Sequence, residues 1–264
     1  MHPINADLLI YWADERETVR LRKEAGQPKP WSTDPIFQTT YFCNVRREDD
    51  KVTKWVAKHI RPHWSDQTYE FNVILSRFLN WPPTLEELGY VYVRDYERIK
   101  NKLKQLHTKG KIWGSAYVVT THGLKMDKID YLCDRVLPSI PSSFNFQSCE
   151  SAANDLRKTE GVSSFMAGQI VADLKNTPQH PLFTAPDWWT FALPGPGSRR
   201  GMDWLYGEHL TDSQWYEKLP EVREILAQFD LCSQDTQNCL CEFDKYCRIR
   251  NGTGRSKRLY TGTA

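Results

Sequence analysis

The 264-residue chain carries 35 Lys and Arg against 33 Asp and Glu, a formal net charge of +2. Only 40% of residues are hydrophobic, yet 10 Trp, 12 Tyr and 11 Phe supply large side chains for a core, which excludes a disordered chain. No stretch of about 18 apolar residues occurs, so no membrane span is expected. The first 20 residues turn charged too early for a secretory signal, and four of the seven Cys crowd into 232–247. Both features predict a reducing, cytoplasmic setting.

In chain order, residues 1–35 read as an N-terminal arm and 36–264 as one domain, or two lobes with a groove between them. Residues 49–60 place Val52, Trp55, Val56 and Ile60 on one helical face, closed by Pro62. Residues 68–79 form a strongly apolar helix, and Thr84 caps a short one after Trp81-Pro82-Pro83. A basic amphipathic helix over 94–109 stops at Gly110, and 111–122 is the candidate strand or extended loop. Helices follow at about 125–137, 148–159, 163–175, 211–218, 220–229 and 234–248. The Pro-, Gly- and Trp-rich stretch 176–210 fits no period. The pattern predicts a mostly α fold. From Lys245 onward come six basic residues and no acidic one, a field that suits phosphate or a solvated tail.

Several segments carry residues suited to chemistry. In Phe42-Cys43-Asn44-Val45-Arg46-Arg47-Glu48-Asp49-Asp50, the two Arg either meet a phosphate or form a local network with the Asp pair. Between the helices at 148–159 and 163–175, Gly161-Val162 makes a turn that offers backbone N–H groups to a DNA phosphate, or joins an ordinary pair of helices. Asp187 is a candidate catalytic carboxylate or a helix cap, and Trp188 and Trp189 are a base-stacking platform or core. Gly195, Gly197, Ser198, Arg199 and Arg200 interleave open backbone with guanidinium forks, the best pyrophosphate candidate, although a plain turn fits too. No G-x-x-x-x-G-K-[ST] motif occurs, which excludes an ordinary P-loop kinase. Asn238, Cys241, Lys245 and Arg248 share one face of the last helix, with Glu242 and Tyr246 beside it. Such polar density suggests a pocket wall or a set of helical ion pairs.

The segment 148–175 resembles the helix–hairpin–helix DNA glycosylases, whose hairpin reads L-P-G-V-G-x-x-T-A-G. Gly161-Val162 and Ala167-Gly168 match, whereas Glu160 replaces the proline and Ser163 the second glycine. The C-terminal Cys spacing, C-x6-C-x-C-x5-C over Cys232, Cys239, Cys241 and Cys247, is one residue short of the iron–sulfur spacing of endonuclease III relatives. Free thiols and no metal are therefore expected.

Taken together, F-C-N-V-R-R-E-D-D, the hairpin, G-P-G-S-R-R-G and L-C-E-F-D-K-Y resemble the α-glutamyl/putrescinyl thymine pyrophosphorylases, or amino acid:DNA transferases, and the related helical domain of 5-hydroxymethyluracil DNA kinases. The resemblance implies a glycosylase-like helical fold and a bacteriophage setting. It also implies displacement of pyrophosphate from modified thymine in double-stranded DNA by an amino acid or polyamine, with no cofactor. Glycosylase action, or a non-catalytic role beside a kinase, is the alternative. Arg46, Arg47, Arg199, Arg200 and Lys245 would meet the pyrophosphate. Asp187, Glu242 and Asp244 would be the carboxylates, and Gly161, Arg248, Arg255 and Lys257 would face DNA.

Overall fold

The computed structural model describes residues 4–114 and 120–254. Among them the chain forms twelve α-helices. In order they are α1 (Ala6–Glu24), α2 (Pro35–Thr39), α3 (Lys51–His59), α4 (Tyr69–Leu79), α5 (Pro82–Leu88), α6 (Tyr96–Lys109), α7 (Lys128–Tyr131), α8 (Cys149–Leu156), α9 (Ser164–Lys175), α10 (Pro196–Tyr206), α11 (Asp212–Ile225) and α12 (Ser233–Arg250). No strand occurs among the described residues, so the helical reading holds. Residues 111–122 contribute no strand where they are described; 115–119 lie outside.

Three local expectations differ. The short helix starts at Pro82, not at Thr84, because a first-turn proline needs no N–H partner and has its φ already set. The break expected before Pro220 is absent. Trp215, Leu219 and Val222 continue one buried stripe through α11, and its burial outweighs the missing proline N–H. The stretch without a period contains α10, whose pattern is masked by Pro196, Gly197 and Gly201.

The chain divides into two compact units, residues 1–50 with 192–264, and residues 51–191. The first unit has α12 at its centre. Leu240, Phe243 and Tyr246 of α12 join Leu9, Trp12, Phe37, Phe42, Met202, Leu205 and Trp215 in one apolar cluster. The first 35 residues, set apart in the sequence as an arm, thus contribute α1 to that cluster. Against α10 the approach is close enough that a Cβ on Gly201 would stand 2.0 Å from the Leu240 carbonyl oxygen, and one on Gly197 would stand 2.5 Å from Cys241 Sγ.

In the second unit α4 and α9 are buried nearly all round. Between them Arg77 of α4 forks onto both carboxylate oxygens of Asp173 of α9, and its Nη2 also donates to Thr53 Oγ1 at 2.8 Å. Both charges are almost fully buried, at 1% and 0% exposure. A buried pair adds little over apolar residues, but breaking one strands a charge. Arg77→Met should therefore cost about 3–5 kcal/mol in urea unfolding, and adding Asp173→Leu should return much of it.

Candidate functional site

The polar residues of α12 fall on two adjoining stripes, each with its own partner. One stripe meets the segment 41–47, which runs antiparallel along the helix. The Arg47 backbone N–H donates to Asp235 Oδ1 at 3.0 Å, Asn238 Nδ2 donates to the Asn44 carbonyl at 3.3 Å, and the Cys43 N–H donates to Glu242 Oε2 at 3.1 Å. At the far end Lys245 Nζ donates to the Tyr41 carbonyl at 2.9 Å, pairs with Glu242 Oε2 at 2.6 Å and lies 4.8 Å above the Phe42 ring.

The second stripe meets α10. Asp244 is 1% exposed and accepts four hydrogen bonds. Its Oδ2 takes Arg200 Nε at 3.1 Å, Arg200 Nη2 at 2.9 Å and Arg248 Nε at 3.1 Å, and its Oδ1 takes the Trp204 indole at 3.2 Å. The hydrogen bond to Asp244 raises the Arg200 pKa further above its ordinary value. Both guanidinium side chains remain substantially exposed, at 50% for Arg200 and 36% for Arg248. Two cations thus share one buried anion, and Asp203 also acts on Arg200.

Arg199 points elsewhere, forking onto Asp212 of α11 at 2.6 and 2.8 Å. Ser198 is fully buried; its hydroxyl accepts from the Gly195 N–H at 3.0 Å. Gly195 caps α10, so Gly195, Gly197 and Ser198 build a helix start instead of an open loop. Arg46 donates to the Phe229 carbonyl at 2.8 Å and sits 3.5 Å from Glu17. Asp235, which holds the Arg47 backbone, and Asp244, which holds Arg200, are nine positions apart along α12. That is about 13 Å of helix. The structure therefore groups Arg200, Glu242, Asp244, Lys245 and Arg248, and sets Arg46 and Arg47 at the other end. Arg255 and Lys257 lie outside the described residues.

Asp187, Trp188, Trp189 and Gly161 belong to the second unit. Asp187 caps α8, accepting from the N–H groups of Cys149 at 2.8 Å and Glu150 at 2.9 Å. Trp188 exchanges two bonds of 2.8 Å with Lys175, and Trp189 is exposed. Gly161 turns the chain between α8 and α9 with φ +78°, a conformation that favours glycine.

The Cys residues are unbridged, and no group of three or more His, Cys, Asp or Glu side chains that could hold a metal occurs among the described residues. Cys239 and Cys241 lie on one continuous helix, two residues apart, so their thiols diverge. Burial pushes the Cys241 thiol up to about 12 and the Cys43 and Cys239 thiols well above their ordinary value.

A family model described as the helical domain of 5-hmdU DNA kinase matches residues 4–256. The chain belongs to that family. It is also similar to a protein of Bacillus phage SP10 named 5-hmdU DNA kinase, at 24% identity over 223 residues. The match covers 73% of this chain and 34% of the relative, so the chain spans about a third of that protein's length. No solved structure matches. No helix among the described residues is long and apolar enough to cross a membrane.

One residue of the site escaped the sequence reading. Arg16 of α1, only 6% exposed, donates to the Phe42 carbonyl at 3.2 Å, to the Cys43 carbonyl at 2.9 Å and to Asn44 Oδ1. It holds from behind the segment that Glu242 and Lys245 hold in front. The signal was the buried stripe Leu9, Trp12, Arg16 and Val19 at helical spacing.

Because α10 touches α12 through backbone, Gly201→Ala should push the two helices apart. It should cost about 1–3 kcal/mol, read as a lower urea midpoint at unchanged slope.

Proposed function

We propose that this helical domain acts on a thymine-derived base in double-stranded DNA, replacing pyrophosphate on the 5-methylene of pyrophosphorylated 5-hydroxymethyluracil with an amine from an amino acid or polyamine. The supporting observation is the buried Asp244 carboxylate that carries Arg200 and Arg248, next to the Glu242–Lys245 pair. Family membership supports this choice of base: the longer phage relative is named for 5-hmdU in DNA.

In the proposed step the amine nitrogen forms a bond to the methylene carbon while the carbon–oxygen bond to pyrophosphate breaks. The electron pair leaves with the pyrophosphate, and the proton of the new ammonium passes to a carboxylate. Arg200 and Arg248 would receive the growing negative charge, so their contacts strengthen as the bond breaks. Glu242, held by Lys245 and the Cys43 N–H, would take the proton. The base must leave the helical stack for its methylene to meet the amine.

A second reading, a DNA-holding domain that serves a kinase without catalysis of its own, is favoured by the match covering only 34% of the phage relative. One experiment separates the two. The chain is incubated with duplex DNA carrying pyrophosphorylated 5-hydroxymethyluracil and candidate amines, and the digested nucleosides are weighed by mass spectrometry. The transferase reading expects an aminated nucleoside; bound DNA with no such product from any amine leaves the holding role. Arg200→Ala should then lower turnover about 30- to 1000-fold, the loss of one charged transition-state contact, with DNA affinity nearly unchanged.

A further inference from the structure

Within residues 51–191 lies a surface that the proposed chemistry does not use. Residues 51–65 hold Lys51, Lys54, Lys58, Arg61, His59 and His63 and no acidic residue, with Asp50 and Asp66 on either side in sequence and Glu86 of α5 3.8 Å from His59. Lys51, Lys54 and Lys58 are exposed along one face of α3, at helical spacing. A helix start carries partial positive charge and disfavours cations, so Lys51 in the first turn does nothing for α3 itself.

Where this run ends, three rings gather. His63 lies 4.1 Å from Tyr90 and 5.6 Å from Tyr92, centre to centre, and the two tyrosines are 4.8 Å apart. Tyr92 is 61% exposed and neighbouring Trp64 is 42% exposed.

The cluster is anchored. Asn72 of α4, 2% exposed, pairs with the Val91 backbone in both directions, donating to its carbonyl and accepting from its N–H, each at 2.9 Å. Tyr90 OH donates to Asp66 Oδ1 at 3.3 Å, and Asp66 also accepts from the Thr68 N–H at 2.8 Å. The Thr68 bonds hold the Asp66 carboxyl below its usual range. A buried amide thus fixes the backbone on either side of which the rings of Tyr90 and Tyr92 stand.

We propose that the lysine face of α3 and the rings of His63, Tyr90 and Tyr92 form a docking surface for an unpaired DNA strand. Cations in a row suit a phosphate backbone, and the exposed ring of Tyr92, backed by the half-buried rings of Tyr90 and His63, offers a stacking face that only an unstacked base can use. A paired duplex presents no free base face. The inference rests on the reading of DNA as substrate and adds a place for strand opened around the modified base.

The test uses the full chain, a fluorescent single-stranded oligothymidine and a blunt duplex of equal length. Tyr92→Ala should weaken single-strand binding about 5- to 100-fold, the effect of removing one stacking ring, and change duplex binding less than about twofold. Tyr92→Phe keeps the ring and should bind as the unaltered chain does. Lys58→Ala should flatten the salt dependence of single-strand binding by roughly 0.7 in log–log slope. Tyr92 is exposed, so an unchanged thermal midpoint confirms that the variants remain folded. Unchanged single-strand affinity in Tyr92→Ala, or equal losses on single strand and duplex, overturns this surface and leaves the substrate reading standing. An unaltered chain that binds neither DNA removes both.

Discussion

The first unit depends on one close approach, α10 against α12 across two glycines. With no side chain at Gly201, the backbones meet at Leu240, and the residues flanking that contact are placed by it. Arg200 precedes Gly201 and reaches Asp244 from one side. Trp204 lies one turn further and reaches the other carboxylate oxygen. If the helices stood further apart, Asp244 would lose these donors and keep only Arg248 of its own helix. A buried carboxylate that loses most of its donors costs more than the glycine flexibility that avoids this. The packing contact and the charged group are therefore one feature.

The other side of α12 is closed by a segment with no regular structure of its own. Residues 41–47 satisfy much of their backbone through side chains of α12 in front and Arg16 behind, and the Asn44 N–H donates to Asp50. Such a segment needs these outside partners because it has no internal ladder. It explains why polar residues recur along α12 among Leu240, Phe243 and Tyr246. Glu242 and Lys245 serve as backbone partners for the segment at the same time as they pair with each other.

Much of the fold was legible because it rests on period. α4, α6, α9 and α12 fall where their apolar spacing predicts, and the density of polar groups on α12 was visible before their partners were. What stayed hidden depends on residues far apart in sequence. Arg199 and Arg200 look like one fork in the sequence, but on a helix neighbours diverge by about 100°. One meets Asp212 and the other Asp244. That divergence could be seen only by knowing that 196–206 is helical, which its prolines and glycines conceal. Asp187 shows the same limit: the carboxylate does cap a helix, but the helix is α8, 37 and 38 residues earlier in the chain.

The two stripes of α12 divide the charge in a way that bears on the proposed chemistry. Lys245 is matched by Glu242 and held by the Tyr41 carbonyl, so this pair adds no net charge and its ammonium is already engaged. Arg200 and Arg248 share the Asp244 carboxylate, with Asp203 also acting on Arg200, and their planar forks are held in place from below. An anion arriving there meets donors that need little rearrangement, the condition under which electrostatic stabilisation is most effective. Asp244 and Lys245 are adjacent in sequence, which turns their stripes about 100° apart on the helix. In the proposed reaction the departing anion and the transferred proton would therefore be received on neighbouring faces of one helix.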